Sequence, residues 1–151
     1  MMERQIPALA NMPTELINRF AARLLPADVR SGQFVDRIGI TFTELSIQRI
    51  VGEMPVEGNR TPHGRLHGGA SVTLAESLGT IGCHLHAGLG RTAVGVDINA
   101  THHRAATSGI VTGIATPLHL GRSLASYQVT IVDEEQRKLC TSRITCMIQS
   151  A

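Results

Sequence analysis

Residues 66–90 read LHGGASVTLAESLGTIGCHLHAGLG, and only one of these twenty-five positions, Glu76, carries a formal charge. Residues 70–86 predict one helix of about 17 residues, roughly 25 Å long. Gly88 and Gly90 follow as stop signals. A surface helix normally shows a broad charged face. Here Ala70, Val72, Leu74, Ala75, Leu78, Ile81 and Leu85 spread over much of the circumference. Against them runs a narrow stripe, Thr73, Glu76, Ser77, Thr80 and His84, at i, i+3 and i+4 spacing. Two readings fit. One is an amphipathic helix whose weakly polar face meets water. The other is a buried helix that aims one carboxylate into a lined cleft. The second predicts a raised pKa for Glu76, because partial desolvation disfavours the charged form.

Outward from the helix, the flanks read as strands. From Val35, the residues Ile38, Ile40, Phe42 and Leu45 carry a period near two, and Ile47 to Val56 follows after a short turn. Downstream lie four mostly uncharged stretches, 93–104, 109–119, 123–132 and 138–148, separated by the turn sequences ATSG, LGR and DEEQR. Connections this short require antiparallel neighbours, since a parallel crossover needs a dozen or more residues. The expected fold is α+β: a curled antiparallel sheet of about six strands around one long apolar helix. A flat sheet with the helix on one face is the alternative. Residues 1–32 form an N-terminal extension with a short helix, capped by Thr14 and ended by Pro26. The main domain is 33–151.

Composition narrows the function. At 151 residues the chain makes one domain. Hydrophobic residues are 42% and charged residues 17%, which excludes disorder as the main state. So little charge, against about 25% in an average domain, points to surface covered by another subunit. A net charge of +2 and four aromatic rings exclude a phosphate-tracking groove and base stacking, so no nucleic-acid partner is expected. Thirteen arginines stand against one lysine. Codon preference explains that as well as phosphate recognition does.

Cys83, Cys140 and Cys146 form no C-x-x-C motif, which suggests a reducing, cytoplasmic setting. Cys140 and Cys146 would lie about 20 Å apart on one strand, too far to bridge. Cys83 reads as a small core residue. MMERQIPALANMP lacks the apolar run of a signal peptide, and no stretch reaches 18 apolar residues, so no membrane is expected. The pairs His63/His67, His84/His86 and His102/His103 have no Cys or carboxylate at recognisable site spacing, so no metal is expected. Ser71 and Ser77 lack the context of a serine hydrolase.

His67-Gly68-Gly69 sits at the start of the helix. Glycines let a ligand approach the backbone closely. The first N–H groups of a helix lack internal partners and stand at its positive end. Together they offer a carbonyl-polarising site. Glu76 follows eight residues after Gly68, and Thr80 places a hydroxyl one turn further on the same face.

RTPHGRLHGGASVTLAESLGT at 60–80, VGVDINATHHRA at 94–105 and TPLHLGRS at 116–123 together resemble the hotdog-fold acyl-CoA thioesterases, in the branch with an HGG…AE signature. The resemblance covers about residues 33–148. It implies a long helix wrapped by a sheet, in agreement with the strand pattern above. It also implies dimers joined edge to edge and pairs of dimers, with active sites at the dimer interface. Glu76 falls on the family's catalytic carboxylate and Gly68 on the carbonyl-polarising N–H. His67 lies beside that N–H, and Thr80 falls on the family's hydroxyl. Gly68 and Glu76 of one pocket would come from different subunits. His102, Arg104, His119, Gly121 and Arg122 are implied along the path of the nucleotide and pantetheine, with Gly95 near the pantetheine.

The chain departs from the family at Thr61, where relatives carry a Gln six residues before the histidine. Asn59 and His63 are the candidates to replace that amide. The implied substrate is an acyl-CoA or acyl-carrier-protein thioester, with an aryl acyl group favoured by the nearest relatives. Coenzyme A would be part of the substrate, and no separate cofactor is expected. A hotdog dehydratase and a non-catalytic acyl-CoA-binding module are the alternative functions.

Overall fold

The computed structural model describes residues 33–88 and 90–150. The helix expected after Thr14 lies outside the described residues. In chain order the elements are α1 (Gln33–Arg37), β1 (Thr41–Leu45), β2 (Ile50–Pro55) and α2 (Gly68–Ala87), then β3 (Arg91–His102), β4 (Ile110–Leu120), β5 (Leu124–Val132) and β6 (Lys138–Ser150). All six strands join one antiparallel sheet in the order β1-β2-β4-β5-β6-β3. The short-loop argument therefore gives the right pairing for β4, β5 and β6 but not for β3 and β4, which are not neighbours: β3 crosses over to pair with β6, and β4 lies beside β2. The sheet curls round α2, which packs against β2, β3, β4, β5 and β6. No helix of the described residues is long and apolar enough to cross a membrane.

Two strand starts differ from expectation. Val35 to Arg37 belong to α1, not to a strand. The Ile38 N–H closes a helical turn on Phe34 O at 3.2 Å, and Gly39 then turns the chain with φ 75°. β2 begins at Ile50 and not at Ile47, because Ser46 and Arg49 close a tight turn. Ser46 N–H donates to Arg49 O at 2.9 Å, and Ser46 Oγ accepts from Arg49 N–H at 2.9 Å.

Close approach of helix and sheet makes the core. Leu74, Leu78, Ile50, Val111, Val129, Ile131 and Ile144 are fully buried or nearly so. Each such side chain contributes roughly 1.5–3 kcal/mol. Gly52 and Gly113 are cross-strand partners on β2 and β4. A Cβ on either would come within 2.8 Å of Leu78, so the pair leaves a notch that this leucine fills. On the helix side, a Cβ at Gly82 would meet the Tyr127 ring at 2.5 Å. Tyr127 is fully buried, and its hydroxyl donates to Ile47 O at 2.7 Å. That satisfies the one polar atom the ring brings into the core.

β3 is an edge strand, and in a single chain its outer edge is unpaired. Gly95 pairs with Cys146 and Asp97 with Thr145, so Val96 is an extra residue in a β-bulge. Val94 and Val96 are 43% and 54% exposed, unusual for β-branched residues in the middle of a strand.

Candidate active site

The start of α2 presents one backbone donor. His67 is the N-cap, with φ −67° and ψ 130°. Its ring Nδ1 accepts from the Gly69 N–H at 2.9 Å. Its carbonyl accepts from Ala70 N–H at 2.9 Å and Ser71 N–H at 3.3 Å. Of the first four helical N–H groups, Gly68 alone has no acceptor among the described residues. It stands at the positive end of a 20-residue helix. The His67 cap thus takes up the three N–H groups that follow and leaves that of Gly68 free among the described residues.

Glu76 lies two turns further along α2, where its Oε1 faces Gly95 on β3. A Cβ at Gly95 would sit 3.7 Å from that oxygen. The absence of a side chain at Gly95, beside the bulge, leaves room for the carboxylate. In the single chain Glu76 is exposed, which corrects the expectation of a carboxylate buried by its own fold. Its neighbours on the stripe differ in how they use their hydroxyls. Thr73 Oγ1 donates back to Gly69 O at 2.9 Å, and Ser77 Oγ donates back to Thr73 O at 2.7 Å. Thr80 Oγ1 instead accepts from the Cys146 thiol at 4.0 Å, and its own proton is uncommitted among the described residues.

The remaining predicted residues fall into two groups within one chain. Thr61, His63, His102 and Arg104 line a cavity of about 470 Å³ that includes Gly68. The His102 ring lies over the helix start, and a Cβ at Gly68 would be 3.0 Å from its Nε2. His119, Gly121 and Arg122 lie instead by the last turn of α2, where His86 Nε2 meets Gly121 O at 2.8 Å. The helix of 20 residues separates the two groups, by roughly 30 Å of axial rise.

Asn59 does not stand in for the missing Gln. Both hydrogens of its amide are used within the fold, donating to Ile38 O at 2.7 Å and Pro55 O at 2.8 Å. Thr61 sits in a tight turn in which its N–H donates to Arg65 O at 2.7 Å. His63 is exposed at the cavity.

A sequence profile described as the thioesterase superfamily matches residues 63–140, more than half of the chain. The chain belongs to the thioesterase superfamily. The proofreading thioesterase EntH of Cronobacter sakazakii is 44% identical over 119 residues, spanning 78% of this chain and 86% of that protein. EntH of Klebsiella pneumoniae is 44% identical over 111 residues, 73% of this chain and 81% of that one. Among solved structures, a Haemophilus influenzae thioesterase superposes with a TM-score of 0.80 at 36% identity. It covers 93% of this chain and 92% of its own. The protein is an enzyme, an acyl-thioester hydrolase with the hotdog fold.

Arg65 of this thioesterase lies at the cavity without having been singled out, and His103 and Ser71, weighed above only as a metal ligand and a serine nucleophile, line it as well. Arg65 had a signal, a cation two residues before the HGG triplet. With His63, His102, His103 and Arg104 it makes a lining rich in basic groups and free of carboxylates. Cys83 is buried in the core as expected. The hydrogen bond with Cys146, together with burial, pushes its thiol well above the ordinary range, so it stays protonated.

Proposed function

We propose that this thioesterase hydrolyses an acyl-CoA or acyl-carrier thioester, with the thioester carbonyl docked on the Gly68 N–H and Glu76 supplying the catalytic carboxylate. The observation that carries the reading is the Gly68 N–H, the one donor at the helix start without an acceptor among the described residues. An N–H aimed at the carbonyl stabilises the oxyanion that develops on it. Glu76 either attacks the carbonyl carbon, giving a mixed anhydride that water then cleaves, or takes a proton from the attacking water. In both routes the C–S bond breaks and the thiolate leaves to be protonated. Thr80 offers its free hydroxyl proton to the water or the substrate beside Glu76. Groups of the chain, the thioester and one water supply every step of this reading, and coenzyme A enters as part of the substrate.

The working unit in this reading is a dimer. Gly68 and Glu76 are eight residues apart on one helix, about 12 Å of rise. A single carbonyl cannot be within about 3 Å of both, as chemistry at its carbon requires. Pairing of the β3 edges of two chains would cover Val94 and Val96. It would also bring the start of one helix to the middle of the other and assemble Arg122 of one chain with Arg104 of its partner. Pairs of such dimers make the tetramer. An aryl acyl group is what the family resemblance implies, and three free cysteines fit a cytoplasmic location.

The test is Glu76→Gln, assayed by thiol release on a panel of aryl- and fatty-acyl-CoA thioesters. The expected result is a kcat lower by about 10²–10⁴-fold with acyl-CoA affinity retained. Turnover near that of the wild type would overturn the assignment.

A further inference from the structure

The turn between β4 and β5 carries Gly121 and Arg122, just after His119 near the end of β4, and its backbone is held from three sides. In the last turn of α2, His86 donates its Nε2–H to Gly121 O at 2.8 Å. At the start of β3, the Arg91 guanidinium donates to Arg122 O. In β6, the Ile148 N–H donates to Ser123 O at 2.8 Å. Three successive carbonyls of a surface turn are thus each bound by a different element. Water would satisfy such carbonyls at no structural expense. The Gly121 N–H closes the turn on Leu124 O at 2.9 Å. A side chain at 121 would strike the His119 ring at 2.4 Å.

The Arg122 side chain contrasts with its backbone. It is exposed and makes no ion pair with a carboxylate among the described residues. A free guanidinium on a fixed backbone is a pre-organised contact for an anion, since less of the loop has to be ordered on binding.

We propose that His86 and Arg91 are positioning residues, which lock the Gly121–Arg122 turn so that Arg122 meets a phosphate on the coenzyme A or carrier arm of the substrate. This rests on the reading of Arg122 as a substrate contact. Neither residue touches the acyl group or the reacting carbon. They act only through the turn, and so on the capture of phosphate-bearing thioesters.

The experiment compares one acyl group presented on coenzyme A and on N-acetylcysteamine, a thiol without phosphate. His86→Phe keeps the ring and removes the donor, Arg91→Met keeps the stem, and His86→Gln keeps an N–H donor. His86→Phe and Arg91→Met should each raise KM for the acyl-CoA by about three- to tenfold, with kcat within about twofold. Both should leave kcat/KM for the N-acetylcysteamine thioester unchanged, and His86→Gln should recover much of the loss. On an Arg122→Ala background, His86→Phe should add nothing further, because the two act in series. An unchanged KM in His86→Phe and Arg91→Met, with a raised KM in Arg122→Ala, would overturn the positioning role alone. An unchanged KM in Arg122→Ala would overturn the reading of Arg122, and the positioning role with it. Equal losses on both thioesters, or a lowered melting temperature with no split between them, would mark a purely structural role and also overturn the proposal.

Discussion

The polar stripe of α2 holds three hydroxyls, and the fold treats them differently. Thr73 and Ser77 return their protons to the helix backbone one turn earlier, whereas Thr80 keeps its own and accepts from Cys146. Only Thr80 can donate toward whatever lies beside Glu76. Thr80→Val keeps the shape and removes that donor, so kcat should fall by about tenfold or more with little change in melting temperature. Ser77→Ala, made in parallel, should leave turnover within about twofold, because its hydroxyl is spent on the helix. Equal losses in both variants would refute the distinction. The stripe itself was legible, since one charge in twenty-five residues singles out its own face. Which hydroxyl is free was not legible, because that depends on the rotamer each side chain takes against its own helix. Asn59 makes the same point. Its type suits it to replace the family's Gln amide, and only the packing reveals that Ile38 O and Pro55 O already take both of its N–H groups.

At the scale of elements, the closeness of α2 to the sheet governs stability. A Cβ at Gly79 would lie 2.0 Å from Ile144 Cγ2 and 3.6 Å from Tyr127 Cβ. Both residues are fully buried or nearly so, so neither can swing into solvent. Gly79→Ala should therefore destabilise the protein by about 1–3 kcal/mol or more, although alanine is the better helix former. Chemical or thermal melts would measure the loss. Ile144→Ala removes the obstructing atom at the expense of a cavity, so the double variant should be more stable than the sum of the single losses predicts. A stabilised Gly79→Ala would show that helix and sheet separate freely. The order of elements was readable because turn sequences and short connections leave few topologies. Their spacing was not, because hydropathy records Gly52, Gly79, Gly82 and Gly113 as weak strand or helix residues. In the fold they are the notches that set the distance between layers. The misplaced strand start at Val35 has a local cause, since one helical turn and the left-handed Gly39 interrupt a period that reads straight through them.

For the whole molecule, one chain holds every proposed catalytic group and still does not bring them together. The eight-residue spacing of Gly68 and Glu76 was visible in the sequence. The partner that would bridge it was implied by the family resemblance alone, since the residues themselves record no intermolecular contact beyond a low charge fraction. Two inactive variants with complementary defects make the decisive measurement. Glu76→Gln removes the carboxylate. Gly68→Pro removes the N–H at the first helical position, where proline is tolerated. His67 before it already has the extended conformation that a following proline requires. Each variant alone should be nearly inactive. In a mixed dimer the Gly68 N–H of the Glu76→Gln chain would face the intact Glu76 of the Gly68→Pro chain, so one of the two sites would be whole. After random exchange of subunits, activity should return to about one quarter of the wild-type value, the share that a two-fold interface predicts. If the mixture stays as inactive as its components although subunits exchange, each site lies within one chain and the shared-site reading fails.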